Sequence, residues 1–230
     1  MKKLKMVSAW ILVCIGLMSA PVVMGQKSGK AYYYQAKSGV IEYVYSGQTT
    51  GKETWYFDQN GRLSARYSEF STKSLGSTTK SQQISIQRDS TFYTIDLLTK
   101  TGIKTTIRFD EKELKEMAET AEKIWKDMGF EKTGEGEVLG RKCDIWEGMS
   151  TKIWVWQNFA LKTETSMMGK TVMEATKIDL NVPVDKSKFA VPDGIEITDQ
   201  HINAADPVFD SLGKSLEKGL EEFKGLFKKK

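Results

Sequence analysis

Histidine occurs once in the part of the chain that follows the leader described below, at His201 in the stretch Asp199-Gln200-His201-Ile202. An imidazole works as a general base when a nucleophile or an orienting carboxylate is held beside it. No such pairing is suggested by position, so His201 reads as a solitary surface side chain. Cys143, in Arg141-Lys142-Cys143-Asp144, sits in an alternating segment that would bury it. The neighbouring cations Arg141 and Lys142 would favour its thiolate, but no second cysteine remains after the leader to resolve a redox cycle or close a disulfide, and a structural zinc site would lack ligands. Cys143 therefore reads as a core residue. The run Gly134-Glu135-Gly136-Glu137-Val138-Leu139-Gly140 has the wrong spacing for a phosphate loop and carries two acids, which argues for a plain connection. There is no G-x-S-x-G sequence and no EF-hand spacing, and the carboxylates are scattered along exposed faces. The chain reads as a non-enzyme, with no metal and no cofactor.

What does concentrate is aromatic and methionine content in strand-like segments: Trp55, Phe57, Phe92, Trp146, Trp154 and Trp156, together with Met149, Met167, Met168 and Met173. Ile153 and Val155 alternate with Trp154 and Trp156, which gives one strand large apolar groups on both faces. One face can cover a core, and the other must meet a helix, a ligand or a partner. An ordinary core beneath a helix is one reading. The other is a concave pocket for a flexible hydrophobic ligand, to which methionine adapts well. Its expected contacts are Trp55, Phe57, Phe92, Trp146, Trp154, Trp156 and Met173.

The elements that position these residues begin with an export leader. Residues 1–25 run from a basic stretch (Lys2, Lys3, Lys5) through an uncharged apolar run from Met6 to Leu17 to a weakly polar exit at Gly25. This is the order of a secretory signal peptide, with cleavage expected before Gln26. An uncleaved anchor is the alternative, weakened by Ser19, Pro21 and Gly25. Cys14 follows Val13 inside an unfinished apolar run, which argues against lipidation. The leader holds three lysines and no acid, so the formal charge falls from +4 to +1 on its removal. Such a near-neutral chain lacks the basic excess that nucleic-acid binding requires. The location implied is periplasmic or secreted.

Residues 26–37 read as a linker and 38–200 as one domain. Period-two alternation recurs from Gly39 to Ile107, as in Ile41, Tyr43 and Tyr45 or Trp55 and Phe57. The turns Asp58-Gln59-Asn60-Gly61 and Thr99-Lys100-Thr101-Gly102 each offer a glycine for positive φ. A meander of antiparallel neighbours follows. Leu114, Met117, Ala118, Ala121, Ile124, Trp125 and Met128 then form a helical stripe over residues 111–128, entered at Asp110 and stopped at Gly129. After the glycine-rich connection, strands resume at 143–149, 152–157, 161–168 and 171–180, and 181–192 reads as an irregular stretch tacked over a sheet end. Residues 201–230 read as a separate tail. Asp206 and Pro207 open an amphipathic helix there, with Phe209, Leu212, Leu216, Leu220, Phe223 and Phe227 on one face and three terminal lysines. It suits docking on the domain, or contact with a membrane surface or partner.

The stretch VLGRKCDIWEGMSTKIWVWQNFALKTE, followed by MEATKIDLNVPVDKSKFAVPDGIEI, resembles the second half of periplasmic proteins of the LolA, LolB and RseB superfamily. GVIEYVYSG and ETWYFDQNGRLSARYSEF resemble uncharacterised relatives of that group, so the resemblance spans roughly residues 38–197. The strand pattern counts about ten strands, and the resemblance implies a mainly β fold with α: a strongly curved antiparallel sheet, or half-barrel, covered by a helix. It also implies a hydrophobic ligand, such as a lipid, an acyl chain or a lipidated protein, or else an envelope partner protein. The carrier's functional arginine has no defensible match, the N-terminal helix is missing and a C-terminal helix is added. Two functions are therefore expected: a non-catalytic periplasmic binding protein, or an envelope interaction or sensor protein that uses the sheet and the tail.

Overall fold

The computed structural model describes residues 34–74, 76–108, 129–166 and 169–203. The leader, the helix expected over 111–128 and the tail helix from Asp206, with Phe209 to Phe227, lie outside the described residues. Twelve strands are described. They are β1 (Gly39–Gly47), β2 (Thr49–Asp58), β3 (Leu63–Ser74), β4 (Ser77–Arg88), β5 (Thr91–Asp96), β6 (Thr101–Arg108), β7 (Glu131–Val138), β8 (Arg141–Gly148), β9 (Thr151–Trp156), β10 (Phe159–Thr165), β11 (Thr171–Leu180) and β12 (Glu196–Asn203). All join one open, curved sheet in the order β12-β6-β5-β4-β3-β2-β1-β11-β10-β9-β8-β7.

Two antiparallel meanders, β1 to β6 and β7 to β11, meet where β11 pairs with β1. Residues 181–195 then cross one face of the sheet and deliver β12 to the far edge, parallel to β6. Three expectations are corrected here. The sheet is mixed rather than wholly antiparallel, it has twelve strands among the described residues rather than about ten, and the glycine-rich connection is largely strand β7. Glutamate and glycine lower β propensity, which hides β7 from a pattern reading, yet they suit an edge that must not pair with a stranger.

The crossing segment is fixed by side chains that reach its backbone. Tyr67 Oη donates to Lys188 O at 2.8 Å, Arg88 Nε to Phe189 O at 2.8 Å and Ser38 Oγ to Val182 O at 2.7 Å. Phe189 enters a small core of Ala65, Ile84, Ile86 and Ile95, with Val184, Val191 and Ile195 around it. The segment thus covers a sheet face rather than a sheet end. Gly102, expected to hold a turn, lies instead within β6. A Cβ there would come within 2.8 Å of Ile197 Cδ1, so its role is to admit β12, while Lys100 takes the positive φ of 55°.

A second, larger core lies on the opposite face. Trp55 and Phe57 belong to it, whereas Tyr56 between them packs on the Phe189 core. On β3 the odd positions turn to the Phe189 side, so the apolar set changes faces between β2 and β3. The larger core also takes in Tyr34 and Ala36, which shortens the expected linker. Likewise β12 extends through Asn203, past the expected domain end at 200.

Candidate functional site

The larger core is a set of interlocking rings that runs from β2 to the β7 edge. Tyr34 stacks on Phe159 with centroids 4.6 Å apart and meets Trp55 and Phe57 at 5.3 Å each. Phe57 and Phe159 lie 5.5 Å apart, and Trp156 reaches Phe159 at 6.3 Å. Such pairs add about 0.5–1.5 kcal/mol each beyond the area they bury. Ala36, Ile41, Tyr43, Val138, Cys143, Leu161, Met173 and Ala175 complete the buried set, and Trp154 and Trp156 pack against it while remaining partly exposed.

The two tryptophans stand on a platform of three two-residue hairpins. Leu139-Gly140, Met149-Ser150 and Gln157-Asn158 all have positive φ at both turn positions, the geometry whose twist matches paired strands. Trp154 and Trp156 project from the same side of β9. Gly136 on β7 makes room for the first, since a Cβ there would lie 2.8 Å from Trp154 Nε1. Three cations approach these rings: the Arg141 guanidinium lies 4.2 Å from the Trp156 centroid, and Lys162 and Lys152 lie 5.1 and 5.3 Å from Trp154. Both lysines also meet carboxylates. Lys152 pairs with Glu147 at 2.7 Å and Lys162 with Glu164 and Glu174 at 3.2 and 3.3 Å.

A buried charged pair sits at the other end of the ring cluster. Arg66 Nη1 donates to Glu53 Oε1, with Glu53 5% and Arg66 17% exposed, and the guanidinium lies 4.0 Å from the Trp55 ring. Trp55 Nε1 donates to Ser64 Oγ at 2.8 Å, which satisfies the buried indole. Burial pulls the Arg66 pKa down, but Glu53 and the phenols of Tyr43, Tyr34 and Tyr45 outweigh that and hold it above the ordinary arginine value. Tyr43 donates to Ala160 O at 3.2 Å. Burial raises the pKa of Tyr43 and of Tyr45 well above that of a free phenol; Arg66 opposes this in both, and Glu53 reinforces it. The group is a polar bracket inside an apolar face, and Tyr43 and Tyr45 are held as neutral phenols.

The expected contact residues therefore separate. Trp55, Phe57 and Met173 are buried core, and Trp154 and Trp156 form its accessible margin. Phe92 shares a face with Phe57 through the register Phe57, Ser64, Gln87, Phe92, but lies three strands away. Trp146 alternates with Cys143 and Ile145, so it projects from the opposite face of β8. Cys143 is fully buried, its thiol donates to Arg141 O at 3.3 Å, and burial pushes its pKa up rather than down. His201 lies on β12. An open cavity of about 570 Å³ occurs at the β8–β9 turn, lined by polar groups including Glu147, Lys152, Glu164 and Lys170 rather than by the expected aromatics. Among the described residues, no cluster of His, Cys, Asp and Glu could hold a metal, and no helix is long and apolar enough to cross a membrane. Tyr34, the Glu53–Arg66 pair and the ring contact of Arg141 were not legible in the sequence, because each depends on a pairing made across the sheet.

The fold and this face define a mainly β protein built on one open mixed sheet with an aromatic cluster on one side. No protein-family profile matches the chain, and no curated protein matches it. Among solved structures it is similar to an uncharacterized conserved protein from Thermus thermophilus, at 10% identity and a TM-score of 0.45 over 71% of this chain and 91% of that one. It is also similar to PNGF-II, at 16% identity and a TM-score of 0.41 in one crystal form and 0.38 in another. The chain spans about a third of PNGF-II, with 32% and 31% of that protein covered in the two forms.

Proposed function

We propose that the mature chain is a non-catalytic binding protein of the cell envelope, periplasmic after loss of residues 1–25, that holds a lipid, acyl chain or lipidated protein against its aromatic face. The observation that carries this reading is the placement of Trp154 and Trp156, which remain partly exposed where an otherwise buried ring cluster reaches the surface. Indoles left at the margin of a core offer large, rigid contact area at little cost in conformational freedom, together with an N–H for a polar neighbour. The hairpins hold them in place before any ligand arrives. In this reading the curved sheet is the half-barrel wall.

The test is to purify the mature protein without detergent, extract it with organic solvent and analyse the extract by mass spectrometry. A stoichiometric lipid or fatty acid that exchanges with added amphiphile is the expected result. An empty protein that also takes up no added amphiphile would defeat the reading. Removing residues 206–230 separates the rival function: a carrier keeps its ligand without the tail, whereas an adaptor that works through the tail loses its partner.

A further inference from the structure

Of the three cations set against the β9 tryptophans, Lys152 and Lys162 have carboxylates on adjacent strands, and Arg141 has none among the described residues. Its Nε is buried and without a hydrogen-bond partner. A buried N–H of a charged group left unpaired is costly, and a guanidinium presents a planar fork of donors that matches carboxylate and phosphate oxygens. The ring of Trp156 fixes the position of that fork, 4.2 Å from its centroid. Arg141 is the first residue of β8, directly after the tight Leu139-Gly140 turn, and its backbone is held by pairing with Val138. From this cation the apolar surface continues through Trp156 and Trp154.

We infer that Arg141 and Trp156 form an anion site for the headgroup of a singly chained amphiphile, with the guanidinium receiving a carboxylate or phosphate and the tail lying along Trp156 and Trp154. This rests on the binding function proposed above and adds to it the charge class of the ligand and the end of the face at which its head sits. The chemistry explains why one arginine is left without a partner on a surface where the other cations have them.

The experiment is calorimetric titration of the full mature chain with three probes of equal chain length: dodecanoate, dodecyl phosphate and dodecanol. The expected result is that at least one anion binds about tenfold or more tighter than the alcohol, the scale of one charge-assisted hydrogen bond. Arg141→Gln should erase that difference, and Arg141→Lys should restore part of it. A preference for dodecyl phosphate names a phosphate head and a preference for dodecanoate a carboxylate, and either supports the site. Equal binding of acid, phosphate and alcohol to the unaltered protein overturns the anion site while leaving amphiphile binding intact. Discrimination that survives in Arg141→Gln also overturns it, because the head then sits elsewhere. Failure of all three probes to bind defeats the binding function itself. If Arg141→Gln fails to fold, Arg141→Lys carries the same comparison, and equal binding of the three probes to the unaltered protein overturns the site without any variant.

Discussion

Raising the pH above the phenol range should destabilise this protein more steeply than its Tyr43→Phe variant. Tyr43 is 2% exposed, and burial is the largest cause of its raised pKa, opposed by Arg66 and reinforced by Glu53. In the unfolded chain the phenol loses its proton near pH 10 (about the free value), while in the folded chain it keeps it. Above that pH the folded state therefore binds one proton more, and stability falls by about 1.4 kcal/mol per pH unit until the folded group also ionises. The contribution is present in full below the unfolded pKa and is lost as pH rises toward the folded one. Tyr43→Phe removes this loss, and it also removes the hydrogen bond to Ala160 O, which is worth about 1 kcal/mol at neutral pH. The variant should thus be the less stable protein near neutrality and the more stable one from about a pH unit above the free phenol value. Tyr45 and the lysines with raised pKa values, Lys104, Lys142, Lys162 and Lys177, titrate in the same direction. The lysines are common to both proteins and cancel in the difference, and Tyr45 changes little because Tyr43 is the smallest of the causes that raise it. Urea unfolding followed by tryptophan fluorescence at a series of alkaline pH values measures it. Parallel stability curves for the two proteins would refute the argument that Tyr43 is buried as a neutral phenol.

Three further outcomes follow from the packing. Glu53→Gln strands the Arg66 charge and should cost about 3 kcal/mol in a denaturation experiment, whereas the double change Glu53→Gln with Arg66→Met should recover much of that loss. Replacing Met149-Ser150 by Asn-Gly relieves two non-glycine residues of positive φ and should raise stability by about 1 kcal/mol; a lower midpoint would show that the turn geometry is misread. Cys143 should resist a disulfide reagent in the native protein and react fully once urea is added, since it is buried with a raised pKa. Immediate native reaction, read by absorbance, would contradict its place in the core.

The alternation at Ile41 and Tyr43 and at Trp55 and Phe57 announces β1 and β2 correctly, because a half-buried strand writes its period directly into its residues. The same alternation does not say which side of the sheet is meant. Trp55 and Ala65 both belong to apolar odd positions, yet they enter cores on opposite faces, and that depends on the turn between them. β7 escapes because its glycines and glutamates answer to an edge and to the Trp154 ring rather than to a core. Turns such as Met149-Ser150 carry no glycine and so give no local signal. Within the site, the tryptophans were visible as residue types, while the distinction between buried Trp55, marginal Trp154 and Trp156, and opposite-facing Trp146 required the register. Arg141 appeared only as a neighbour of Cys143 in sequence; its contact with Trp156 exists because β8 and β9 pair.

The most direct test of the central claim is fluorescence quenching by a bromine-labelled fatty acid, which acts only on tryptophans that the chain touches. Saturable quenching is expected in the unaltered protein and in Trp146→Phe, and most of it should vanish in the Trp154→Phe, Trp156→Phe double variant. Absence of saturable quenching in the unaltered protein, or quenching undiminished in the double variant, would contradict the assignment of the aromatic margin as the binding face.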